Sequence, residues 1–408
     1  MEWKLSELSV DGKGHYGIGA PAIPYDKNKP TYLRITDIND DGTINFLDLK
    51  SVDDEDSNKY LLKENDIVFA RTGNSTGRSY FYQKEHGDFV YAGFLIKFSI
   101  DPQKVNPKIL KYYTHSQEYY NWVKSFDTGG TRGNINAKTF GDMPISLPKR
   151  CVQDKIVGIL SALDSKIENN NKINANLEAQ AEALFKSWFV DFTPFKDQPF
   201  VDSELGPIPQ GWKVVSLDDM TSKVGTGLNP RKNFTLGQGS NYYVTIKNMY
   251  NNRVYLDSRC DKITDEAIQK IQKRSKLQVG DLLFSGIGTI GRVALINKPP
   301  YNWNTSESVF NLHPSEEISS EFLYLLLLSN FFQNYVKINT LGGVQQGIRM
   351  ASLKSFRMAL PDRNVLIAFD RIIQPIVADI KRNDDENDSL AALRDTLLPK
   401  LMSGEIKL

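Results

Sequence analysis

The second half of the chain repeats the pattern of the first half. The clearest match pairs LKENDIVFARTG, residues 62–73, with LQVGDLLFSGIG, residues 277–288. The two copies lie much farther apart than the roughly 20–50 residues of a solenoid repeat, so we interpret them as a duplicated domain. Two similar domains in one chain suggest one task carried out at two places. Other matching positions are Trp3-Lys4 and Trp212-Lys213, Gly129 and Gly342, and Leu147-Pro148 and Leu360-Pro361.

Composition narrows the class of protein. The 408 residues are enough for two or three domains that each bury a core. Cys151 and Cys260 have no Cys or His at metal-ligand spacing, which argues against disulfides and zinc and fits a reducing cytoplasm. The chain starts without a signal-peptide pattern, and its longest apolar stretch, 322–328, is too short to span a membrane. We therefore expect a cytoplasmic protein with no membrane segment.

Each half is predicted to have the same order of elements, which makes the fold class α+β. Buried strands follow a turn, a second strand follows a glycine-rich segment, and then a helix, a glycine turn and a last strand complete the half. The predicted strands are 67–70 and 79–82 in the first half and 282–284 and 293–296 in the second, and the predicted helices are 109–126 and 321–338.

A long helix is predicted after each globular part. Apolar residues there recur with alternating spacings of three and four, which is the seam of a coiled coil. The first seam is Leu160, Leu163, Ile167, Asn170, Asn174, Leu177, Ala181, Leu184, Trp188, and the second is Ile373, Ile376, Ile380, Asn383, Asn387, Leu390, Arg394, Leu397, Leu401. The two helices are predicted to form an antiparallel coiled coil with pseudo-twofold symmetry.

The same pair of asparagines occupies equivalent seam positions in both helices. A buried Asn fixes register and partner because it is satisfied only opposite another polar group. Antiparallel pairing predicts that Asn170 faces Asn387 and that Asn174 faces Asn383. The alternative is that each helix breaks at its Asn-rich middle, since Asn is a poor helix former. Between the halves, residues 193–211 are rich in proline and aromatic side chains and are predicted to be a tethered linker with exposed aromatics.

Two segments of the sequence resemble catalytic motifs, but neither meets the requirements of the chemistry. Gly286-Ile287-Gly288-Thr289-Ile290-Gly291 fits a dinucleotide-binding pattern, but that chemistry requires a helix afterwards, and the next residues are strand-like. The segment is therefore interpreted as a hairpin turn. Lys298-Pro299-Pro300-Tyr301 resembles a base-methylation motif, but Lys298 stands where the catalytic Asn belongs. No acid–base, metal or cofactor constellation is found, and none of these residues is assigned to catalysis.

Polar loops suit contact with DNA instead. Arg, Asn and Gln side chains read base edges, whereas Lys, Ser and Thr hold phosphate. The net charge of +1 requires any basic surface to be local, and ordinary polar turns remain the alternative reading of these loops. The glycine and apolar framework is shared between the halves while the polar loop residues differ, as expected of two scaffolds that read two targets. The candidates are Arg71, Thr72, Asn74, Arg78, Thr131, Arg132, Asn134, Asn136 and Lys138 in the first half, and Arg292, Gln345, Gln346 and Arg349 in the second.

With these features, the chain resembles the DNA-specificity subunit of a type I restriction-modification enzyme over essentially its whole length. The two strand–turn motifs at Asp66 and Asp281 carry the resemblance, together with LFKSWFVDF at 184–192 and LLPKLMSGEI at 397–406. The resemblance implies target-recognition domains at 1–150 and 212–363, spacer helices at 151–192 and 364–408, and a linker at 193–211. Each recognition domain would read one half of an asymmetric two-part site in double-stranded DNA, and the helices would set the gap.

The resemblance also implies partners. Two methyltransferase subunits would bind one specificity subunit, and motor-nuclease subunits would join for restriction. S-adenosylmethionine, ATP and Mg²⁺ would belong to those subunits and not to this chain. Two alternatives remain open from the sequence: the recognition arm of another methyltransferase system, and a two-domain protein-interaction scaffold.

Overall fold

The computed structural model describes residues 2–126, 133–342 and 346–408 of the chain. They form two compact units, each of mixed helix and sheet. Unit 1 contains Met1–Glu168 and Glu386–Leu408, and unit 2 contains Asn169–Asp385.

Unit 1 is built from short strands and from helices that follow them in the chain. Its strands are β1 (Glu2–Lys4), β2 (His15–Tyr16), β3 (Ala22–Pro24), β4 (Thr31–Leu33), β5 (Lys50–Val52), β6 (Asp66–Ala70), β7 (Ser79–Phe81), β8 (Phe89–Tyr91), β9 (Leu95–Ser99) and β10 (Pro144–Ser146). Its helices are α1 (Leu5–Leu8), α2 (Ile109–Tyr113), α3 (Gln117–Lys124), α4 (Ala137–Gly141) and the first part of α5 (Arg150–Phe189).

Unit 2 has the remaining elements. Its strands are β11 (Phe200–Ser203), β12 (Gly206–Pro209), β13 (Lys213–Ser216), β14 (Thr221–Thr226), β15 (Asn241–Val244), β16 (Met249–Tyr250), β17 (Arg253–Val254), β18 (Asp261–Ile263), β19 (Leu282–Ser285), β20 (Val293–Leu295), β21 (Trp303–Thr305), β22 (Val309–Pro314), β23 (Thr340–Leu341), β24 (Gly347–Ile348) and β25 (Arg357–Leu360). Its helices are α6 (Asp265–Gln272), α7 (Ser320–Leu328), α8 (Asn330–Ile338), α9 (Met350–Lys354) and the first part of α10 (Arg363–Met402). The second part of α5 also belongs to unit 2, and the second part of α10 belongs to unit 1.

The duplication seen in the sequence is a duplication of topology. Unit 1 has a sheet of order β2-β9-β6-β7, and unit 2 has the equivalent sheet β14-β22-β19-β20. A second sheet in each unit contains a parallel pair, β4 with β8 and β15 with β21. The first and last strands of each domain pair antiparallel, β1 with β10 and β13 with β25. The α+β fold class is confirmed.

The central strands β6 and β19 follow the same local design. Both are continuous apolar runs buried on both faces, as the sequence predicted. An aspartate at the start of each apolar run, the first residue of β6 and the residue before β19, closes the entering turn, because its carboxylate accepts a backbone N–H three residues earlier. Lys63 N donates to Asp66 at 2.8 Å, and Gln278 N donates to Asp281 at 2.7 Å. The shared aspartate therefore fixes where each central strand begins.

The single helix predicted in each half is wrong, because each is broken into two. In unit 1, α2 ends at Tyr113 and α3 begins at Gln117, with Ser116 accepting a hydrogen bond from Tyr119 N at 3.2 Å. In unit 2, Ser329 separates α7 from α8 and accepts from Phe332 N at 3.2 Å. A serine that caps a new helix offers its backbone an alternative to continuing the old one.

The linker between the halves is more ordered and more buried than its composition suggests. Strands β11 and β12 form an antiparallel hairpin within it. The expected exposure of its aromatics is wrong for Phe195, which is buried and packs edge-on against Trp188 and Trp212. The linker is therefore part of the core of unit 2.

The helices α5 and α10 each run for 40 residues, about 60 Å at about 1.5 Å per residue. Within each unit, later residues of α5 contact earlier residues of α10. The paired segments are therefore antiparallel, as predicted. The contacts are Asp164–Arg394 at 3.1 Å and Lys166–Glu386 at 3.1 Å in unit 1, and Asn174–Asn383 at 2.8 Å and the Phe189–Phe369 rings at 4.7 Å in unit 2.

The asparagine register is confirmed for one of its two pairs. Asn383 donates to Asn174, and both side chains are buried. Asn170 and Asn387 are also buried, but they belong to different units, so their facing and the pseudo-twofold symmetry stay predictions. The alternative of a helix break is wrong, because α5 continues through 169–171 and α10 through 383–385.

At one end the seam differs from the predicted stripe. Leu184 and Trp188 are partly buried, whereas Phe185 and Phe189, one position later, are fully enclosed. Both phenylalanines contact Phe369 of α10 and Phe322 of α7. The helix therefore presents a wider apolar face here, because it packs against the globular part of unit 2 as well as against α10.

Candidate nucleic-acid interface

The glycine-rich segment of unit 1 is the turn between β6 and β7. Gly73 and Gly77 have positive φ, of 75° and 85°, which side chains with a Cβ rarely adopt. A Cβ on Gly77 would also lie 2.5 Å from Val123, so this glycine allows α3 to approach. The turn holds Asn74 exposed at its tip, with Arg71 and Thr72 half-buried at its start.

The structure brings the second candidate loop of unit 1 against this turn. Ile135 N donates to Arg71 O at 2.9 Å, and the Arg71 guanidinium donates to the side-chain oxygen of Asn134 at 3.4 Å. Thr76 adds a hydrogen bond to Gly133 O at 3.0 Å. Loops that are far apart in the sequence therefore form one surface, which includes Arg71, Thr72, Asn74 and Asn134.

Unit 2 repeats this loop pairing with different side chains. Gly288 N donates to Gln346 O at 2.9 Å, and Ile348 N donates to Gly286 O at 2.9 Å. The predicted hairpin at 286–291 is confirmed, since β20 and not a helix follows it. Gln346 and Arg349 are exposed beside the turn. The two units therefore present one scaffold with different polar groups.

Two of the candidate arginines are engaged inside the fold. Arg78 lies 2.6 Å from Asp40 and donates to Ile38 O at 3.0 Å. Arg292, at the equivalent position of unit 2, donates to Ile246 O at 2.8 Å and to Met249 O at 2.7 Å. Each guanidinium ties the exit of a glycine-rich turn to the neighbouring loop. Both arginines therefore help to position these turns, and their contact with DNA stays a prediction.

Of the remaining candidate residues, some lie within the described ranges and others lie outside them. Asn136 caps α4, accepting from Thr139 N at 2.9 Å, while its side chain remains exposed, and Lys138 is exposed two residues further on. Thr131, Arg132 and Gln345 lie outside the described residues, so their part in the interface stays a prediction.

Sequence reasoning missed two aromatic residues beside Arg71. The Arg71 guanidinium lies 5.1 Å from the centre of the Tyr16 ring, a cation–π distance, and Tyr16 OH accepts from Ala137 N at 3.1 Å. Phe94, whose carbonyl accepts from Arg71 N at 3.0 Å, is 58% exposed. Both residues come from strand ends far from Arg71 in the sequence, and no local pattern connects them to it.

The described part of the chain has neither a metal-binding cluster nor a membrane-spanning helix. Among residues 2–126, 133–342 and 346–408, no group of three or more His, Cys, Asp or Glu is placed to hold a metal ion. Within the same ranges, no helix has the length and apolarity needed to cross a bilayer.

A comparison with known families identifies the class of protein. The family model of the type I restriction modification DNA specificity domain matches residues 23–179 and 209–385, one match for each half of the chain. These two matches cover most of the sequence. The chain belongs to the type I restriction-modification DNA-specificity family.

Individual relatives are similar over most of their length. The chain is 24% identical to the specificity subunit of the type I restriction enzyme HindI from Haemophilus influenzae, over 85% of this chain and 88% of that one. It is 28% identical to the MjaIX specificity subunit from Methanocaldococcus jannaschii, over 73% and 68%. In fold, it is similar to the crystal structure of a type I restriction-modification S subunit from M. genitalium, with a TM-score of 0.54, 15% identity and coverage of 98% and 96%.

Proposed function

We propose that this chain recognises an asymmetric, two-part site in double-stranded DNA and directs the other subunits of a type I restriction-modification complex to it. The loop pairing found in both units carries the proposal. Each unit joins a glycine-rich turn to a second loop on the same framework, with Arg71 and Asn134 in one unit and Gln346 and Arg349 in the other. Such side chains read base edges, so two scaffolds with different side chains suit two different half-sites.

DNA methylation and DNA cleavage are assigned to partner subunits. We infer that two methyltransferase subunits bind this chain and that motor-nuclease subunits join them for cleavage. S-adenosylmethionine, ATP and Mg²⁺ would act in those subunits, while this chain would supply recognition and no catalysis. DNA recognition, methylation and cleavage would take place in the cytoplasm, where the DNA of a bacterial or archaeal host lies.

Co-expression with its methyltransferase partner tests the proposal directly. Methylation-aware sequencing of the DNA in those cells is expected to yield one motif of two specified parts separated by a fixed gap. The same methyltransferase without this chain is the control, and it should leave the motif unmethylated. Methylation that does not depend on this chain, or a motif without two parts, would contradict the proposal.

The chemistry is tested separately. The highly purified chain alone is expected neither to methylate nor to cut duplex DNA. Methyl transfer that persists when any co-purifying methyltransferase is inactivated by mutation would contradict the assignment of the chemistry to partners.

A further inference from the structure

The short connection between β21 and β22 places one side chain directly beside the glycine-rich turn of unit 2. Its backbone is fixed at both ends, since Ser306 N donates to Val244 O at 2.8 Å and Ser308 O accepts from Gly286 N at 2.9 Å. Glu307 lies between these two anchors and is partly exposed. The position of its side chain is therefore set by the same framework that holds the turn at 286–291.

Unit 1 has the same connection with different chemistry. Ala92 N donates to Leu33 O at 3.0 Å, and Phe94 O accepts from Arg71 N at 3.0 Å. These bonds are equivalent to those around Glu307, so Gly93-Phe94 occupies the place of Glu307-Ser308. The connection presents an exposed aromatic ring, Phe94, in one unit and a carboxylate one position earlier, Glu307, in the other. The connection therefore varies in the same way as the two candidate loops do.

Glu307 lies in an open groove of about 500 Å³ on unit 2. Arg231 and Arg349 line the same groove and are exposed, and within the described ranges neither guanidinium has a side-chain or backbone partner. Two unpaired arginines suit phosphate or guanine, while a carboxylate among them repels phosphate. Ile287, Ser308 and Gln346 are among the other residues that line this groove.

The Glu307 carboxylate is held in one orientation by two donors. Asn229 donates its side-chain amide to one oxygen, and Tyr243 OH donates to the other at 3.2 Å. Burial, followed by the charge of Glu307, raises the pKa of Tyr243, so its phenol stays protonated and remains a donor at neutral pH. A carboxylate has about four acceptor sites, so both oxygens keep capacity for a further donor.

We propose that Glu307 is a specificity-determining residue that accepts a hydrogen bond from the exocyclic amino group of one base in the half-site read by unit 2. Cytosine N4 is the expected donor, because it is the major-groove group that Glu and Asp accept from. The inference rests on the proposed function and adds to it a third base-reading element. The carboxylate also sets a penalty against bases that present an acceptor there, because two acceptors repel each other.

Glu307→Gln is the informative substitution, because it removes the charge and keeps the size and an acceptor for Asn229 or Tyr243. Glu316→Gln is the matched control, since Glu316 is exposed in the same unit at the far end of β22, about 20 Å away at about 3.3 Å per residue. Each variant is purified as the complex with its methyltransferase partner. Binding is measured on duplexes in which each base pair of the half-site is replaced in turn.

With Glu307→Gln, discrimination is expected to fall about tenfold or more at one base pair of the unit 2 half-site and to stay unchanged in the other half-site. Affinity for duplex DNA of unrelated sequence is expected to rise, because a charge that repels phosphate has been removed. Glu316→Gln should change neither quantity. Unchanged discrimination by Glu307→Gln at every base pair of that half-site would overturn the inference, whatever its non-specific affinity.

A second experiment uses the unaltered protein and so does not depend on folding of a variant. Each cytosine and adenine of the half-site is replaced by an analogue without its exocyclic amino group. The wild-type complex should lose about tenfold affinity at one such position, and no loss at any position would overturn the inference. The wild-type complex also separates the two proposals: if it recognises a two-part site and Glu307 does not matter, only this inference fails, whereas if it recognises no such site, the proposed function itself fails.

Discussion

The side-chain amide of Asn383 on α10 donates a hydrogen bond of 2.8 Å to the side-chain oxygen of Asn174 on α5, and both side chains are buried. Asn174 in turn donates to Asp384 at 3.0 Å and to Ile380 O at 3.3 Å. The pair is therefore satisfied only at this register, because a slip of either helix would leave buried amide groups without partners.

A double-mutant cycle tests this relationship. Asn383→Leu leaves the buried oxygen of Asn174 without its donor and is expected to cost about 1–3 kcal/mol of unfolding free energy. Changing both residues to leucine should recover part of that loss, because two apolar side chains pack together. Recovery should be incomplete, because Asp384 also loses its bond from Asn174. Urea unfolding of the wild type, the two single variants and the double variant gives the coupling energy. A coupling energy near zero would contradict the contact.

The same cycle applies to Asn170 and Asn387, whose facing is predicted from the heptad spacing alone. Coupling between them is expected to be similar in size. Its absence would show that the register found at Asn174 and Asn383 does not extend along the seam.

A charged cluster in unit 1 gives a prediction about pH. Asp164 accepts from Lys111 at 2.6 Å, from Tyr112 OH at 3.0 Å and from Arg394 at 3.1 Å. Burial alone would raise the pKa of Asp164, but Lys111 and Arg394 outweigh burial and hold the pKa below its usual value. A lowered folded-state pKa stabilises the protein above the ordinary value near 3.9, and that stabilisation is lost as the pH falls through the folded-state pKa.

Asp164→Asn is therefore expected to lower the stability of the purified chain by about 1–3 kcal/mol at pH 7, since two cations lose their charged partner. The difference from wild type should shrink as the pH falls below about 4. Asp154→Asn is the control on the same helix, because Asp154 pairs with Arg150 at the surface and should contribute less than about 1 kcal/mol. Urea midpoints across this pH range measure both, and equal effects of the two substitutions would contradict a special role for Asp164.

Two arginines of one turn are expected to behave differently. Arg71→Ala should weaken or relax recognition of one half-site only, by about 1–3 kcal/mol if its guanidinium is bidentate to guanine, or evenly over sequences if it holds phosphate. Arg78→Ala should instead lower stability, because its guanidinium bonds to Ile38 O and Asp40 inside the unit. Arg132→Ala, predicted from the sequence, should resemble Arg71→Ala.

Binding of the complex to duplexes altered in each half-site, together with its thermal midpoint, separates these outcomes. Wild-type recognition of both half-sites by Arg71→Ala and Arg132→Ala would rule out the proposed loops of unit 1.

Features that depend on residues close together in the sequence, or on a regular spacing, could be predicted, whereas other features could not. Strands β6 and β19 were predictable because a buried apolar run after an aspartate turn is a local signal. The contact of Asn174 with Asn383 was predictable because a heptad seam converts sequence spacing into spatial register. The breaks at Ser116 and Ser329 were missed, because the apolar pattern continues across each serine and only the cap reveals the new helix.

The candidate site was predicted only in part for the same reason. The turn at Arg71 and the loop at Asn134 were each visible as polar clusters, but their pairing depends on backbone hydrogen bonds between distant segments. The contacts of Arg78 and Arg292 within the fold were not visible in the sequence, since their carbonyl partners are contributed by other loops. Phe94 and Glu307 were missed altogether, because a single residue between two strands has no periodicity to mark it.

The two long helices are expected to set the gap between the half-sites. Each unit contains its own pair of helical segments, and the units divide between Glu168 and Asn169 on α5 and between Asp385 and Glu386 on α10. Inserting four residues at both places should therefore leave the packing within each unit intact. The insertion adds about 6 Å and, at about 3.6 residues per turn, about 40° beyond a full turn. One base pair of duplex adds about 3.4 Å and about 35°.

The added rotation of the helices therefore matches one base pair, and the added length matches nearly two. The gap is expected to lengthen by one or two base pairs while both half-sites keep their sequence. Insertion of four residues into α5 alone is the control, since it shifts one helix past the other and should abolish assembly or recognition. Methylation-aware sequencing of cells that express each variant with the methyltransferase measures the gap. An altered half-site with an unchanged gap would show that the two helices do not set the spacing.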